Sequence, residues 1–250
     1  MRLRDRVAVV TGGGSGIGRA TALALAAEGA LVVVGDVDEE AADATAALVR
    51  AGGGLADVRG VDVRESPQVD ALVDAAAARH GRLDLVVNNA GITRFRPLLE
   101  QTPADYDDVV RVNQYGSYHG ILAAARRMRA LGTPGVIVNV GSVLADLPTA
   151  GNLAYAASKA AIVAMTRAAA LELAPLGIRV VAVSPGATDT PLLRPLRDAG
   201  LTRHSARRHL RNRLLRPEQV AAVVVFLATD AADAINGVVV PVDDGYGSFK

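Results

Sequence analysis

The 250-residue sequence contains no cysteine and no tryptophan, and aromatic residues make up only 3% of it. Without thiols there are neither disulfides nor thiolate metal sites, and so few rings leave little on which nucleic-acid bases could stack. Lysine is nearly missing as well: of 27 basic residues, all but Lys159 and Lys250 are arginine. Long apolar runs are absent. The longest, AAVVVFLA at 221–228, falls far short of a membrane span. The chain enters a strand-like run within six residues of its start, leaving no room for the apolar region of a signal peptide, so a cytoplasmic protein is expected. A net charge of +1 gives no case for nucleic acid as a partner, and the four histidines form no pattern with carboxylates that would hold a metal.

What the sequence does contain is alternation. Runs rich in Val, Ile and Leu predict strands at 6–11, 31–36, 55–63, 83–89, 135–142, 178–186 and 237–243. Ala-rich stretches of helical period predict helices at 16–28, 38–50, 67–80, 103–130, 152–174 and 217–229. Continuous apolar strands separated by helices imply a parallel sheet covered on both faces. Seven in series without a linker predict one α/β domain over 1–250. The rhythm breaks only at 187–216, where Pro191, Pro195 and Gly200 fall, and this stretch is expected to form a short helical lid over a site. Between 191 and 217 eight arginines face one acid, a net +7 that leaves −6 for the rest of the chain. Such a lid suits an acidic or phosphate-bearing substrate reached by one or two of Arg203, Arg207, Arg208 and Arg211; the alternative is a solvated surface helix.

Between the first strand and the first helix stands TGGGSGIGRA, with Gly12, Gly16 and Gly18 separated by Ser15 and Ile17. Glycines in that position allow a tight turn and bring backbone N–H groups and a helix N-terminus against a pyrophosphate. Asp36 closes the second strand, where a carboxylate would accept hydrogen bonds from both ribose hydroxyls and repel a 2′-phosphate. Val37 rather than an arginine follows it and Ser15 rather than a basic residue precedes Gly16, so nothing nearby would neutralise a 2′-phosphate. NAD is expected rather than NADP.

Tyr155 and Lys159 lie four apart on one predicted helix, hence on one face. A phenol titrates near 10, so taking a proton from an alcohol near neutrality needs a neighbouring cation. A retained lysine in a chain otherwise converted to arginine fits that need for a compact point charge. Asn113 interrupts the long helix as a poor helix former whose side chain suits a bent backbone or a water, and Ser142 ends the fifth strand at the carboxyl edge of the sheet.

Gly-x-x-x-Gly-x-Gly at 12–18, NNAG at 88–91, Asn113, Ser142, Tyr-x-x-x-Lys at 155–159, SPGATDT at 184–190 and VDDG at 242–245 stand in an order that resembles the short-chain dehydrogenase/reductase family across the whole chain. One departure is the replacement of a glycine in the family's Val-Asp-Gly-Gly. The resemblance implies a doubly wound, Rossmann-like, seven-stranded parallel sheet and a catalytic tetrad falling on Asn113, Ser142, Tyr155 and Lys159. It further implies a cofactor shell of Gly12, Ser15, Gly16, Ile17, Gly18, Asp36, Asp62, Val63, Asn89, Ala90, Gly91, Tyr155, Lys159, Pro185, Gly186, Thr188 and Thr190. Asp62 and Val63, read as closing the third strand, would flank the adenine. The implied reaction interconverts a secondary alcohol and a ketone with NAD, in a homotetramer or homodimer. Alternatives are a reductase of carrier- or CoA-linked 3-oxoacyl groups, with which Asp36 fits poorly because such enzymes usually take NADP, and a regulatory protein that binds dinucleotide without turnover, against which the intact Tyr155 and Lys159 argue.

Overall fold

A computed structural model describes residues 1–249. Seven strands, β1 (Val7–Thr11), β2 (Leu31–Asp36), β3 (Leu55–Gly60), β4 (Leu85–Asn88), β5 (Gly135–Val140), β6 (Ile178–Pro185) and β7 (Val239–Val242), pair in the order β3-β2-β1-β4-β5-β6-β7. Every pairing is parallel. Sidedness follows from the two-residue period of a strand. In β1, Ala8 and Val10 face a layer built by helices α1 (Gly16–Ala27), α2 (Glu39–Ala51) and, numbered in chain order, α9 (Pro217–Ala228), while Val7 and Val9 face another built by α3 (Ser66–His80) and α5 (Gly116–Leu131). Both faces of the strand are therefore apolar, as the continuous runs predicted.

Helix starts carry their own signals. Asp38 accepts the Ala41 N–H at the head of α2, and Thr102 and Asp105 form a reciprocal capping box ahead of Pro103 in α4 (Pro103–Val109). The expected helix at 103–130 is not continuous: Val110–Tyr115 form a stretch of π-helix between α4 and α5, with Asn113 fully buried inside it. Helix α6 (Leu153–Leu173) carries Tyr155 in its first turn.

Two strands end sooner than their apolar runs suggested. β3 stops at Gly60, because the Asp62 N–H donates to the Gln68 side chain and its carboxylate takes the Arg64 amide, turning the chain toward α3. Asp62 and Val63 thus lie beyond the strand they were expected to close. β5 stops at Val140, and Ser142 caps a 3-10 turn by accepting the Leu144 N–H. The 187–216 break contains a 3-10 turn and two short helices, α7 (Arg194–Asp198) and α8 (Thr202–Arg207). A last short helix, α10 (Tyr246–Phe249), follows β7. Among the described residues no helix is long and apolar enough to cross a membrane.

The strand order reverses between β1 and β4, so their carboxyl ends part and open a crevice, the position where sheets of this kind bind ligands. The opposite, amino-terminal edge is closed by Asp84. Its carboxylate accepts the Val7 N–H at 2.8 Å and two Arg82 nitrogens at 2.8 and 2.7 Å, at 6% exposure. Asp84→Ala strands the buried Val7 amide and is predicted to cost about 2 kcal/mol, read as a lower urea midpoint at unchanged denaturant slope.

Candidate active site

The loops that leave the parted strands line one cleft of about 790 Å³. On one side Gly12, Ser15, Gly16 and Ile17 run from β1 into α1; on the other Asn89, Ala90 and Gly91 follow β4. Asn89 ties the two together, donating from Nδ2 to the carbonyls of Thr11 at 3.0 Å and Gly12 at 2.9 Å. Ser15 makes no side-chain cap to α1, which leaves the opening amides of that helix for a ligand, and a phosphate is what such a helix start accepts. Gly18 alone of the predicted cofactor shell does not line the cleft. It packs on the Gly12 carbonyl and the Asn89 amide so closely that a Cβ would collide with both.

The sequence reading missed the support beneath this loop. Arg19, one residue past the last glycine, donates to the Gly14 carbonyl and to Thr45 Oγ1. No motif marks it. Asp36 accepts the Gly14 N–H at 2.8 Å and the Asp38 N–H at 3.1 Å, fixing its carboxylate at the cleft wall. Contrary to expectation, a cation does stand at that end: Arg64 lines it. Asp62 grips the guanidinium, with Nε at 3.0 and 2.9 Å from the two carboxylate oxygens, and this hydrogen bonding holds the Asp62 carboxyl below its usual range.

At the other end, Ser142, Tyr155 and Lys159 converge. Tyr155 is half-buried as a residue, but its hydroxyl lies deep enough that burial pushes the phenol up to about 12, against the downward pull of a hydrogen bond with Ser142. Lys159 is 3% exposed, and burial lowers its ammonium to about 8. Its Nζ donates to the Val140 carbonyl at 2.7 Å and lies 5.5 Å from the centroid of the Tyr155 ring. Asn113 does not line the cleft. Its Oδ1 accepts the Ile92 N–H at 2.8 Å, and its Nδ2 donates to the Ile92 carbonyl and to Ser158 Oγ, both at 3.0 Å. Because the Ser158 hydroxyl donates to the Tyr155 carbonyl at 2.7 Å, Asn113 couples the β4 loop to the first turn of α6.

Pro185, Gly186, Thr188 and Thr190 line the same cleft below the lid. The lid's Leu192, Leu193, Leu196 and Leu201 and the loop residues Phe95 and Leu144 make its walls apolar. Of the four arginines singled out in the lid, only Arg208 lines it; Arg211 pairs instead with Asp244 at 2.6 Å. Tyr246, 3% exposed and also on the wall, had drawn no notice in the sequence.

Known proteins resemble the chain in sequence and in fold. A profile described as Enoyl-(Acyl carrier protein) reductase matches residues 12–247. The chain is 46% identical to a cis-4-hydroxycyclohexanecarboxylate dehydrogenase of Sinomonas cyclohexanicum, covering 97% of this chain and 96% of that one. It belongs to the short-chain dehydrogenase/reductase family. Within it, a 3-oxoacyl-(acyl-carrier-protein) reductase of Thermotoga maritima is 38% identical over 98% of this chain and 99% of its own. The crystal structure of a levodione reductase superposes with a TM-score of 0.94 at 37% identity, each chain covered in full. As a member of the family the protein is an oxidoreductase acting on CH–OH groups, and dehydrogenases of this kind bind a nicotinamide cofactor. The glycine loop, the open start of α1 and the paired loops across the switch point fit such a dinucleotide. Gly18→Ala, by forcing the Gly12 carbonyl outward, is predicted to weaken cofactor binding by at least about tenfold, or 1.4 kcal/mol, in a fluorescence titration with reduced cofactor.

Proposed function

We propose that the protein interconverts a small cyclic secondary alcohol and its ketone with NAD(H), using Tyr155 as the proton-transferring group. The observation that carries the reading is the meeting of the Tyr155 phenol, the Ser142 hydroxyl and the buried Lys159 ammonium at one end of the cleft, beside the apolar wall of leucines. A nicotinamide bound there supplies the hydride acceptor or donor and, when oxidised, a positive charge. Ser142 donates to and orients the substrate oxygen. Tyr155 takes the alcohol proton in oxidation and returns it in reduction. Burial by itself favours the neutral phenol, so phenolate forms only with help from Ser142 and from Lys159, whose own burial disfavours a lone charge and so favours a pair. Asn113 is a positioning residue that holds the β4 loop against α6.

Asp36 supports NAD over NADP. Its carboxylate would face the ribose, and among the described residues the cation that lines that end, Arg64, is already paired with Asp62. The named activities of the Sinomonas relative and of levodione reductase support a ring substrate, as do the leucine and phenylalanine walls. The Thermotoga relative keeps 3-oxoacyl thioester reduction as the competitor. Exposed Tyr115, Tyr118 and Leu171 on the central helices support assembly into a homodimer or homotetramer.

The deciding experiment follows cofactor absorbance over a panel of cyclic secondary alcohols with NAD and NADP, beside 3-oxoacyl thioesters with both reduced cofactors. Turnover confined to thioesters and NADPH would overturn the reading. On the best alcohol, Tyr155→Phe is predicted to lower kcat by about 1000-fold, inside the range that positioned proton transfer contributes. Oxidation needs the deprotonated phenol, so its rate rises with pH; removing the cation in Lys159→Met moves that rise upward by more than about one pH unit.

A further inference from the structure

Charge is unevenly distributed along the cleft. The carboxylates that line it, Asp36 and Asp62, both lie where β2 and β3 finish, and both are occupied by backbone amides or Arg64. Among the described residues no acid lines the wall beneath the lid. The cation there is Arg208, half-buried, its guanidinium carbon 4.5 Å from the centroid of the Tyr246 ring. Two of the other lid arginines hold counter-charges: Arg197 pairs with Asp189, and Arg211 with Asp244. Among the described residues no carboxylate pairs with Arg208.

Its position is fixed by what surrounds it. One residue on, His209 is fully buried, with its ring edge-on to Tyr246 at 5.5 Å. That imidazole packs so closely on Gly186 that a Cβ there would strike it, which ties this part of the lid to the end of β6. Next, the Leu210 N–H donates to the Asp244 carbonyl at 2.9 Å, and Arg211 gives its N–H and its Nε to the Asp244 carboxylate at 3.1 and 2.6 Å. Asp244 adopts φ 49, a left-handed conformation that costs a non-glycine residue stability. The clasp that holds that conformation also holds the lid, three residues beyond Arg208.

A guanidinium over an aromatic ring spends one face on the ring and keeps its N–H fork for a planar acceptor. Leucines make up much of the adjoining wall, where an uncompensated cation favours an anionic partner more strongly than it would in open water. We propose that Arg208, seated on Tyr246, is the specificity residue of the cleft and receives a carboxylate carried by the substrate ring. This rests on the reading of the cleft as a cyclic-alcohol site. One guanidinium matches a monoanion in charge, whereas a phosphate dianion would need a second cation, and Arg203 and Arg207 do not line the wall. The basic lid anticipated from sequence therefore narrows to a single arginine.

The test uses unreactive probes, so it does not depend on turnover. Cyclohexanecarboxylate and cyclohexanecarboxamide are titrated calorimetrically into the protein saturated with NADH. The acid is expected to bind the wild type at least about tenfold more tightly than the amide, a factor worth 1.4 kcal/mol, and to lose that advantage as salt is raised. In Arg208→Met the acid-to-amide ratio falls to about one, and Arg208→Lys regains part of it. Equal affinity of acid and amide in the wild type, no binding of the acid, or a preference that survives Arg208→Met overturns the proposal. Should Arg208→Met fail to bind NADH, the wild-type ratio and its salt dependence decide. Failure of the cyclic-alcohol reading shows separately, as absent turnover on the alcohol panel beside an intact acid-to-amide ratio.

Discussion

A single buried ammonium sets the demands on the functional end of this molecule. Lys159 is 3% exposed and meets one carbonyl, that of Val140. A charge so placed is tolerated only where partners compensate for lost water. The end of β5 supplies one partner, the Tyr155 ring another surface, and the substrate-facing cleft the third direction. Arginine would not serve, because its planar fork is too broad for a site that offers one carbonyl and the face of one ring. Elsewhere in the described chain every basic side chain other than histidine is arginine, and most of these lie on the surface or in ion pairs, where a fork is no handicap.

The same demand explains why the helix before α5 is interrupted. A regular helix through Asn113 would direct its side chain and its hydrogen-bonding groups by the 3.6-residue period alone. The π-helical stretch Val110–Tyr115 redirects them, so that one amide reaches both backbone groups of Ile92 and the Ser158 hydroxyl. Such stretches cost helical regularity and recur at functional sites. Here the return is a tie: Asn113 and Ser158 hydrogen-bond the β4 loop to the first turn of α6, one turn ahead of the lysine.

Much of this was legible in the sequence because it rests on local chemistry. Strand runs buried on both faces show as unbroken Val and Ile, and the glycine loop shows because only small residues fit where β1 turns into α1. Asn113 was recognisable as a misfit in a helix, although the π-helical form was not, since it depends on a partner loop 21 residues away. The end of β3 was overrun because Val61 and Val63 continue its apolar composition, and that of β5 because Gly141 still bonds to β6, while Gln68 and Ser142 bend the chain off the sheet. Arg19, Arg64 and Tyr246 were illegible for one reason. Each acquires its place through a contact distant in sequence or without a motif: a carbonyl in the loop below, a neighbouring carboxylate, a lid arginine.

The replaced glycine shows how far a local departure reaches. In VDDG, Asp244 occupies a left-handed position that glycine would fill without strain. What the aspartate adds is a carboxylate, and Arg211 of the lid takes it by both backbone and side chain. With Thr188 bridged to Leu215 where the segment begins and ends, and His209 packed on Gly186, the lid is held in place while its leucines and Arg208 line the cleft. A glycine there would leave the C-terminal turn relaxed and Arg211 without that partner. The strain in one residue is thus offset by fixing a basic segment in place, and the chain's surplus of arginine, outwardly a compositional habit, supplies both the anchor of the lid and the guanidinium that lines the cleft beneath it.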